Sequence, residues 1–311
     1  MRDDGAPPPH ADTQEEEEPR RRPASRYHSY LHGGTSSLLS ALPTVAVFPL
    51  YKTVFRQQLH SCSVRQAVAQ LRREGPLKLY RGVTPPLLMR TLNGTLLFGL
   101  QDTLLRQLSS ASSSFLPPAA LPAVAGLAAG LAEALVFTPF ERVQNVLQNG
   151  RSYRRLPTLR SVAALLGTET LAAGYYRGLL PIAARNGLGS CLYFGLKGPL
   201  CALVEGQWGP LPLGLLGPTA SSFLAGTLTS VAVSLPLYPL SVLVVNMQAG
   251  TRGDAGDGGA GTVRYCWRRL WESRGRSVAL LYRGGSLVVL RSCITWGITT
   301  AIYDQQQRRA S

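Results

Sequence analysis

The segment PLYKTVFRQQ at residues 49–58 returns as PFERVQNVLQ at 139–148 and as PLSVLVVNMQ at 239–248, each time a proline followed nine positions later by a glutamine. Behind each copy stands a Tyr-Arg-Gly, as Tyr80-Arg81-Gly82, Tyr176-Arg177-Gly178 and Tyr282-Arg283-Gly284. An internal repeat at a near-constant spacing outranks any single motif as a guide to architecture. The prolines lie 90 and 100 residues apart, a unit too long for a solenoid blade and short for three independent domains. Such a unit must pack against its own copies.

Composition says where that packing takes place. Hydrophobic residues fill 45% of the 311 positions and charged residues only 16%, against roughly 25% charged in soluble domains. The shortage of charge points to lipid. The net charge of +15 would suit a nucleic-acid partner if it were spread over one face, but about twenty of the 32 Lys and Arg fall in three windows, Lys52 to Arg81, Arg142 to Arg177 and Arg252 to Arg283. The connections at 106–118 and 198–213 hold almost none. Basic residues confined to alternate loops are an orientation signal for membrane helices and argue against nucleic acid.

Six apolar stretches follow, at about 31–50, 84–105, 119–140, 179–203, 213–240 and 285–303. At 1.5 Å per residue, ~20 residues span the ~30 Å hydrocarbon core. The fold class is therefore an all-α membrane protein with six transmembrane helices, arranged as three tandem two-helix repeats about a pseudo-threefold axis. A polar, disordered tail occupies 1–26, and the repeats occupy 27–108, 119–203 and 213–309. Shorter amphipathic segments join the paired crossings; in Val64 to Arg73, Val64, Val68 and Leu71 share one face, as suits an interfacial helix. Small residues recur every four positions in the odd crossings, notably Gly126 and Gly130, and let helix backbones approach in lipid. Pro49, Pro139 and Pro239 fall late in the same crossings and predict three equivalent bends.

Several chemistries find no support. Five cysteines, Cys62, Cys191, Cys201, Cys266 and Cys293, show no paired spacing, and the histidines, His10, His28, His32 and His60, all precede residue 61. No metal site, disulfide framework or cofactor is readable, and no nucleophile stands with a base, so an enzyme is not expected. The Gly- and Asp-rich stretch 249–261 lacks the Gly-Lys-Ser/Thr ending of a phosphate loop and reads as a linker.

With these repeats in place the chain resembles the mitochondrial carrier family, whose signature is Pro-x-acidic-x-x-basic, an amphipathic helix, and then acidic-Gly-(x)4-aromatic-basic-Gly. Repeat 1 keeps the second half as Glu74-Gly75 and Tyr80-Arg81-Gly82. Phe55-Arg56-Gln57-Gln58, Pro85-Pro86 and Glu141-Arg142-Val143-Gln144 are similar to the subgroup that includes mitochondrial NAD carriers. The resemblance implies a monomeric six-helix carrier of the inner mitochondrial membrane that opens alternately to either side. It also implies a matrix-side gate of acid–base pairs, and here the sequence departs. The acid positions read Tyr51, Glu141 and Ser241, and the basic positions Val54, Gln144 and Val244, so the barrier is expected to be weaker or differently built. At the opposite gate Asp102 and Asp304 occupy acid positions and Gly198 replaces the third.

Four ionisable residues remain inside the predicted crossings: Arg90, Glu133, Arg185 and Arg291. Each costs about 2.5–3.5 kcal/mol at a bilayer centre on insertion scales, so function is the expected reason for keeping them. Arg185 and Arg291 each lie seven residues after a Tyr-Arg-Gly glycine, ~10 Å along the helix. The family's substrate contact points map onto Met89 with Arg90, Arg185 with Asn186, and Arg291. Three guanidinium groups against one carboxylate favour an anionic small molecule bearing phosphate or carboxylate. NAD or a related nucleotide is the leading candidate. Glu133 either receives a donor group of the ligand or pairs with an Arg in the empty bundle. The three Tyr-Arg-Gly turns begin helices at the interface, where cardiolipin headgroups or simple aromatic anchoring account for them. A carrier-fold adaptor or lipid-binding protein that no longer transports stays open as the alternative.

Overall fold

The computed structural model describes residues 28–111, 117, 120–153, 155–208, 217–250, 262–291 and 293–294. Among them every regular element is helical, and repeats 1 and 2 share one pattern, a long helix, one or two short helices and a second long helix, which repeat 3 follows as far as the start of its last helix. Repeat 1 holds α1 (His28–His60), α2 (Val64–Glu74), α3 (Pro76–Leu79) and α4 (Thr84–Ala111). Repeat 2 holds α5 (Leu121–Gln148), a 3₁₀ turn at Gly150–Ser152, α6 (Leu159–Thr168) and α7 (Leu179–Trp208). In repeat 3 the first long helix is divided into α8 (Gly217–Ser234) and α9 (Tyr238–Gln248), followed by α10 (Val263–Ser273), α11 (Val278–Leu281) and α12 over 285–291. By length and composition α5 and α7 qualify as membrane spans, and the bent α8–α9 pair makes a third. At 33 and 28 residues α1 and α4 also have the length to cross.

The long helices pack in a ring: α1 on α4, α4 on α5, α5 on α7, α7 on α8, and α9 back on α1. The α5 and α7 backbones approach closely at two glycines. A Cβ at Gly126 would lie 2.7 Å from the Ser190 carbonyl oxygen, and one at Gly130 would lie 2.5 Å from that of Asn186. The two glycines stand one turn apart and meet two residues one turn apart on α7, so the small stripe lets the backbones touch. The short helices start where the sequence supplies caps. Ser63 and Gln66 form a reciprocal capping box on α2, and Thr158 and Ser161 do the same on α6.

Two expectations are corrected. The prolines do not act alike: α1 and α5 run on through Pro49 and Pro139, whereas repeat 3 breaks by 62° between α8 and α9. The cause is local. Pro236 precedes Pro239 by three residues, so two ladder donors are missing within one turn and the chain passes through a turn at 235–237. On α2 the inward face is Ala67 and Leu71, while Val64 and Val68 are about 40% exposed. The three predicted apolar positions therefore split between the protein and its surroundings.

Repeats are joined where the two recurrent motifs meet. A Cβ at Gly82 would lie 3.3 Å from Gln148 Cγ, one at Gly178 3.5 Å from Gln248 Cγ, and one at Gly284 3.2 Å from Gln57 Cβ. All three glycines have positive φ, +83°, +83° and +106°, which L side chains rarely adopt. The Tyr-Arg-Gly turn of each repeat thus lies against the proline-to-glutamine segment of the next, and repeat 3 returns to repeat 1. Gly284→Ala, which adds a methyl group 2.7 Å from the Tyr238 hydroxyl, is expected to destabilise by about 1–3 kcal/mol. Gly130→Ala is expected to destabilise by a similar ~1–3 kcal/mol through overpacking. Thermal unfolding in detergent checks both, and wild-type melting temperatures would rule out the close approaches described.

Candidate substrate site and gate

The glutamine ends of α1, α5 and α9 converge at the end of the bundle that carries the basic windows. Asn145 on α5 donates to the side-chain oxygen of Gln248 at 2.7 Å, and Asn149 donates to the Ala249 carbonyl at 2.8 Å. Asn246 on α9 donates to the Gln58 carbonyl at 3.0 Å. Val54 belongs to an apolar cluster with Tyr238, Val242, Leu243 and Met247, and Val244 is buried against Ala134 and Ile182. Two of the three positions at which the family resemblance implies bases are thus filled by buried valines. This end is closed by apolar packing and carboxamide hydrogen bonds.

Charge meets this end of the bundle at Glu141. Glu141, two residues beyond Pro139, accepts a two-pronged ion pair from Arg185 on α7, Nη1 to Oε1 and Nη2 to Oε2, both at 2.8 Å. Both side chains are about one-fifth exposed, and Arg185 Nε donates to the Asn186 side-chain oxygen at 3.0 Å. Glu133, half-buried on α5, lies near enough to act electrostatically on Arg185. The Arg291 guanidinium stands over the Tyr51 ring, 4.6 Å from its centroid. Two of the predicted substrate contacts therefore meet residues at two of the three gate acid positions. Arg185 thus faces two carboxylates, Glu141 in direct contact and Glu133 at longer range.

The remaining candidates are distributed more widely. Met89 is half-buried on α4; the side chain of its neighbour Arg90 and the whole of Asp304 lie outside the described residues. Gln144 is half-buried one turn below Glu141. Asp102 pairs with Arg106 on its own helix at 2.9 Å in a solvent-accessible bridge, worth about 0–1 kcal/mol. Above Arg185 a cavity of roughly 180 Å³ is lined by Leu97, Ser190, Tyr193, Phe194, Ser230 and Ser234 among others. Its walls come from α4, α7 and α8, one helix from each repeat, so it is central.

The Tyr-Arg-Gly residues make inter-repeat contacts. Arg81 donates to the carbonyls of Tyr153 and Leu156, and Arg283 to that of Ser61 at 3.0 Å. The Arg177 carbonyl accepts from Gln248 at 2.9 Å. The tyrosines stack within their own repeats, Tyr80 on Phe48 and Tyr282 on Tyr238; Tyr176 is half-buried.

Sequence reasoning missed a cationic cluster around Tyr153. Lys52, Arg56, Lys78 and Arg81 lie 5.2, 5.7, 5.9 and 4.4 Å from its ring centroid, and Arg56 also pairs with Glu74 at 2.7 Å. Burial pushes the Tyr153 phenol up to about 12, so it stays neutral and the Arg56 guanidinium donates to its hydroxyl at 3.1 Å. Arg142 was missed as well: it is fully buried and donates to carbonyls of Gly174, Gln248 and Gly250. The available signal was its placement three residues after Pro139, matching Lys52 after Pro49. Tyr153→Phe keeps the ring and is expected to destabilise by only ~1 kcal/mol. Tyr153→Ala removes the platform for four cations and is expected to destabilise by ~2–4 kcal/mol. Equal melting temperatures for the two variants would remove the ring from the account.

Comparison with known proteins agrees with this architecture. A sequence model described as mitochondrial carrier protein matches residues 117–203 and 217–311. Solute carrier family 25 member 53 of Homo sapiens is 44% identical over 293 residues, covering 91% of this chain and 89% of the relative. Mitochondrial nicotinamide adenine dinucleotide transporters of Mus musculus and Homo sapiens are each 35% identical over 266 residues, covering 85% of both chains. Three helical repeats closed into a ring, with sequence agreement over most of their length, have one explanation: the chain belongs to the mitochondrial carrier family.

Proposed function

We propose that the protein carries an anionic metabolite across the inner mitochondrial membrane by alternating access, with NAD or a related nucleotide as its cargo. The observation that carries this reading is the pair Arg185 and Arg291, which reach the gate acid positions from the substrate-contact level of the bundle. Arg185 and Arg291 bind phosphate or carboxylate through planar donors, with Met89, Arg90 and Asn186 completing the contact level. Glu133 receives a donor group of the ligand, such as a carboxamide or an exocyclic amine. The identity to relatives named as NAD transporters supports the nucleotide. Transport makes and breaks no covalent bond, and a monomer suffices because one chain closes the ring.

Glu141 and Gln144 form the polar part of the matrix-side gate, and Asp102 with Asp304 belongs to the opposite one. Tyr80, Arg81 and Gly82, with their counterparts at 176–178 and 282–284, stand at the matrix interface. The exposure of Tyr80 and of nearby Lys78 supports contact with an anionic headgroup such as that of cardiolipin.

One observation favours a second reading. Val54 and Val244 stand where charged gate residues are expected, which suits a carrier fold kept as an adaptor without transport. Uptake by proteoliposomes separates the two. Wild-type protein is expected to take up radiolabelled NAD, and Arg185→Ala or Arg291→Ala to lower uptake at least ~10-fold, the loss typical when one partner of a buried charge pair is removed. Glu133→Ala is expected to reduce uptake as well, all three variants remaining folded by circular dichroism. Wild-type rates in the arginine variants would falsify the site; absence of both uptake and ligand-induced thermal stabilisation across nucleotides and carboxylates would favour the adaptor.

A further inference from the structure

The turn at 235–237 lies inside the apolar stretch 213–240, and broken backbone at membrane depth is tolerated only against protein or beside a cavity. Two donors that would continue α8 are missing from their places. Pro236 has no N–H for the Ala232 carbonyl, and the Tyr238 N–H turns to Leu235 at 3.1 Å instead of to Ser234. Ser230 and Ser234 stand one turn apart at this end of α8, and both line the central cavity of roughly 180 Å³. Helical hydroxyls in apolar surroundings often turn back to the carbonyl four residues earlier, as Thr103 does to Gly99 at 2.8 Å and Thr229 to Ala225 at 2.7 Å. Among the described residues, the Ser230 and Ser234 hydroxyls have no such bond and no other protein partner. The end of α8 therefore offers donors and acceptors to a cavity that Tyr193 and Phe194 of α7 also line and whose lining holds no charged side chain.

We infer that this cavity is the subsite for the uncharged, ring-bearing end of the cargo: a nucleoside whose sugar hydroxyls and N–H groups are taken by Ser230, Ser234 and the Tyr193 hydroxyl while its phosphate stays at Arg185. The inference rests on the reading of Arg185 as a substrate contact. Gly189 and Tyr193 lie one and two turns beyond Arg185 on α7, ~6 and ~12 Å along its axis. A sugar and then a base reach over such distances from their phosphate. Tyr193 and Phe194 meet edge to face with centroids 5.4 Å apart and supply aromatic surface at the far end.

The same lining works against other anions. A di- or tricarboxylate anchored at Arg185 brings a second charge into a cavity whose walls hold no cation, which is unfavourable in a desolvated site. A bare phosphate leaves the serine hydroxyls to water and gains nothing from them. Selection for a nucleotide is therefore made at α8 and not at the arginine, which accepts carboxylate and phosphate alike. A dinucleotide brings two ring-bearing ends, one for this cavity and one for Glu133.

The test uses the purified full chain with three probes: NAD, AMP as a single nucleotide, and inorganic pyrophosphate as the charged part alone. Ser230→Ala combined with Ser234→Ala removes both hydroxyls. The double variant is expected to raise the half-saturating NAD concentration in uptake by roughly tenfold, a few-fold per hydroxyl, and to shrink the melting-temperature rise given by NAD or AMP. Its response to pyrophosphate is expected to match wild type. Gly189→Ala enters the cavity wall from α7; its methyl would meet Leu237 and Val233 at 3.4 and 3.9 Å, ordinary contact, so it narrows the space without strain. It is expected to show the same nucleotide-selective loss, and it decides the matter if the serine variant does not fold. Unchanged nucleotide responses in both variants overturn the inference, and so does an equal loss of all three responses, which marks a change in the bundle and not in a subsite. A wild type stabilised by pyrophosphate but by neither nucleotide refutes the subsite while leaving Arg185 as an anion contact; no response to any probe refutes both. A wild type blind to NAD but stabilised by AMP, with that response lost in the double variant, refutes NAD as the cargo and leaves the nucleoside subsite standing.

Discussion

Each Tyr-Arg-Gly turn rests on the glutamine end of the next repeat's long helix, and the ring of helices depends on that contact being made three times. The glycine supplies a backbone conformation and an absent side chain, so the turn can approach Gln148, Gln248 or Gln57 to within van der Waals distance. The arginine and its carbonyl then tie the loops together, as with Arg81 to Tyr153, Arg283 to Ser61 and Gln248 to Arg177. A two-helix repeat cannot bury its own inner face. Three of them can, provided that repeat 3 meets repeat 1, which the contacts of Asn246 and Arg283 achieve.

The ring being fixed, its basic end is built from unlike parts. Repeats 1 and 3 contribute buried valines, and repeat 2 contributes a carboxylate that takes its cation from farther along the bundle. Apolar packing is indifferent to an anion nearby; a charge pair is not. Asymmetry among the repeats therefore bears on function in a way that the symmetric contacts do not. The 62° break between α8 and α9 belongs to the same category, because Pro236 adds a second missing donor that repeats 1 and 2 lack.

Most of the architecture was legible because its signals are local or periodic. Three prolines, three Tyr-Arg-Gly turns and six apolar stretches can be counted along the chain, and Gly126 with Gly130 announces a close helix contact by spacing alone. Arg185 and Arg291 were visible as charges in apolar surroundings, an anomaly that needs no partner to be noticed. The pairing of Arg185 with Glu141 was not visible, since the two are 44 positions apart and had been assigned to different levels of the bundle. The Tyr153 cluster was hidden for the same reason: Arg56 and Arg81 lie 97 and 72 positions from it. Val64 and Val68 show the reverse error, in which a helix face read as one surface divides between two environments.

The sequence by itself determined the helices, their number per repeat, the membrane setting and the family, because hydrophobic period, proline and glycine act through covalent geometry and burial of nearby residues. Tertiary structure alone decided which charges neutralise one another, which cations gather on Tyr153 and where the ring closes. Those outcomes depend on distances of a few ångströms between side chains far apart in the chain, where Coulomb energy and hydrogen-bond geometry change steeply and sequence spacing carries no information.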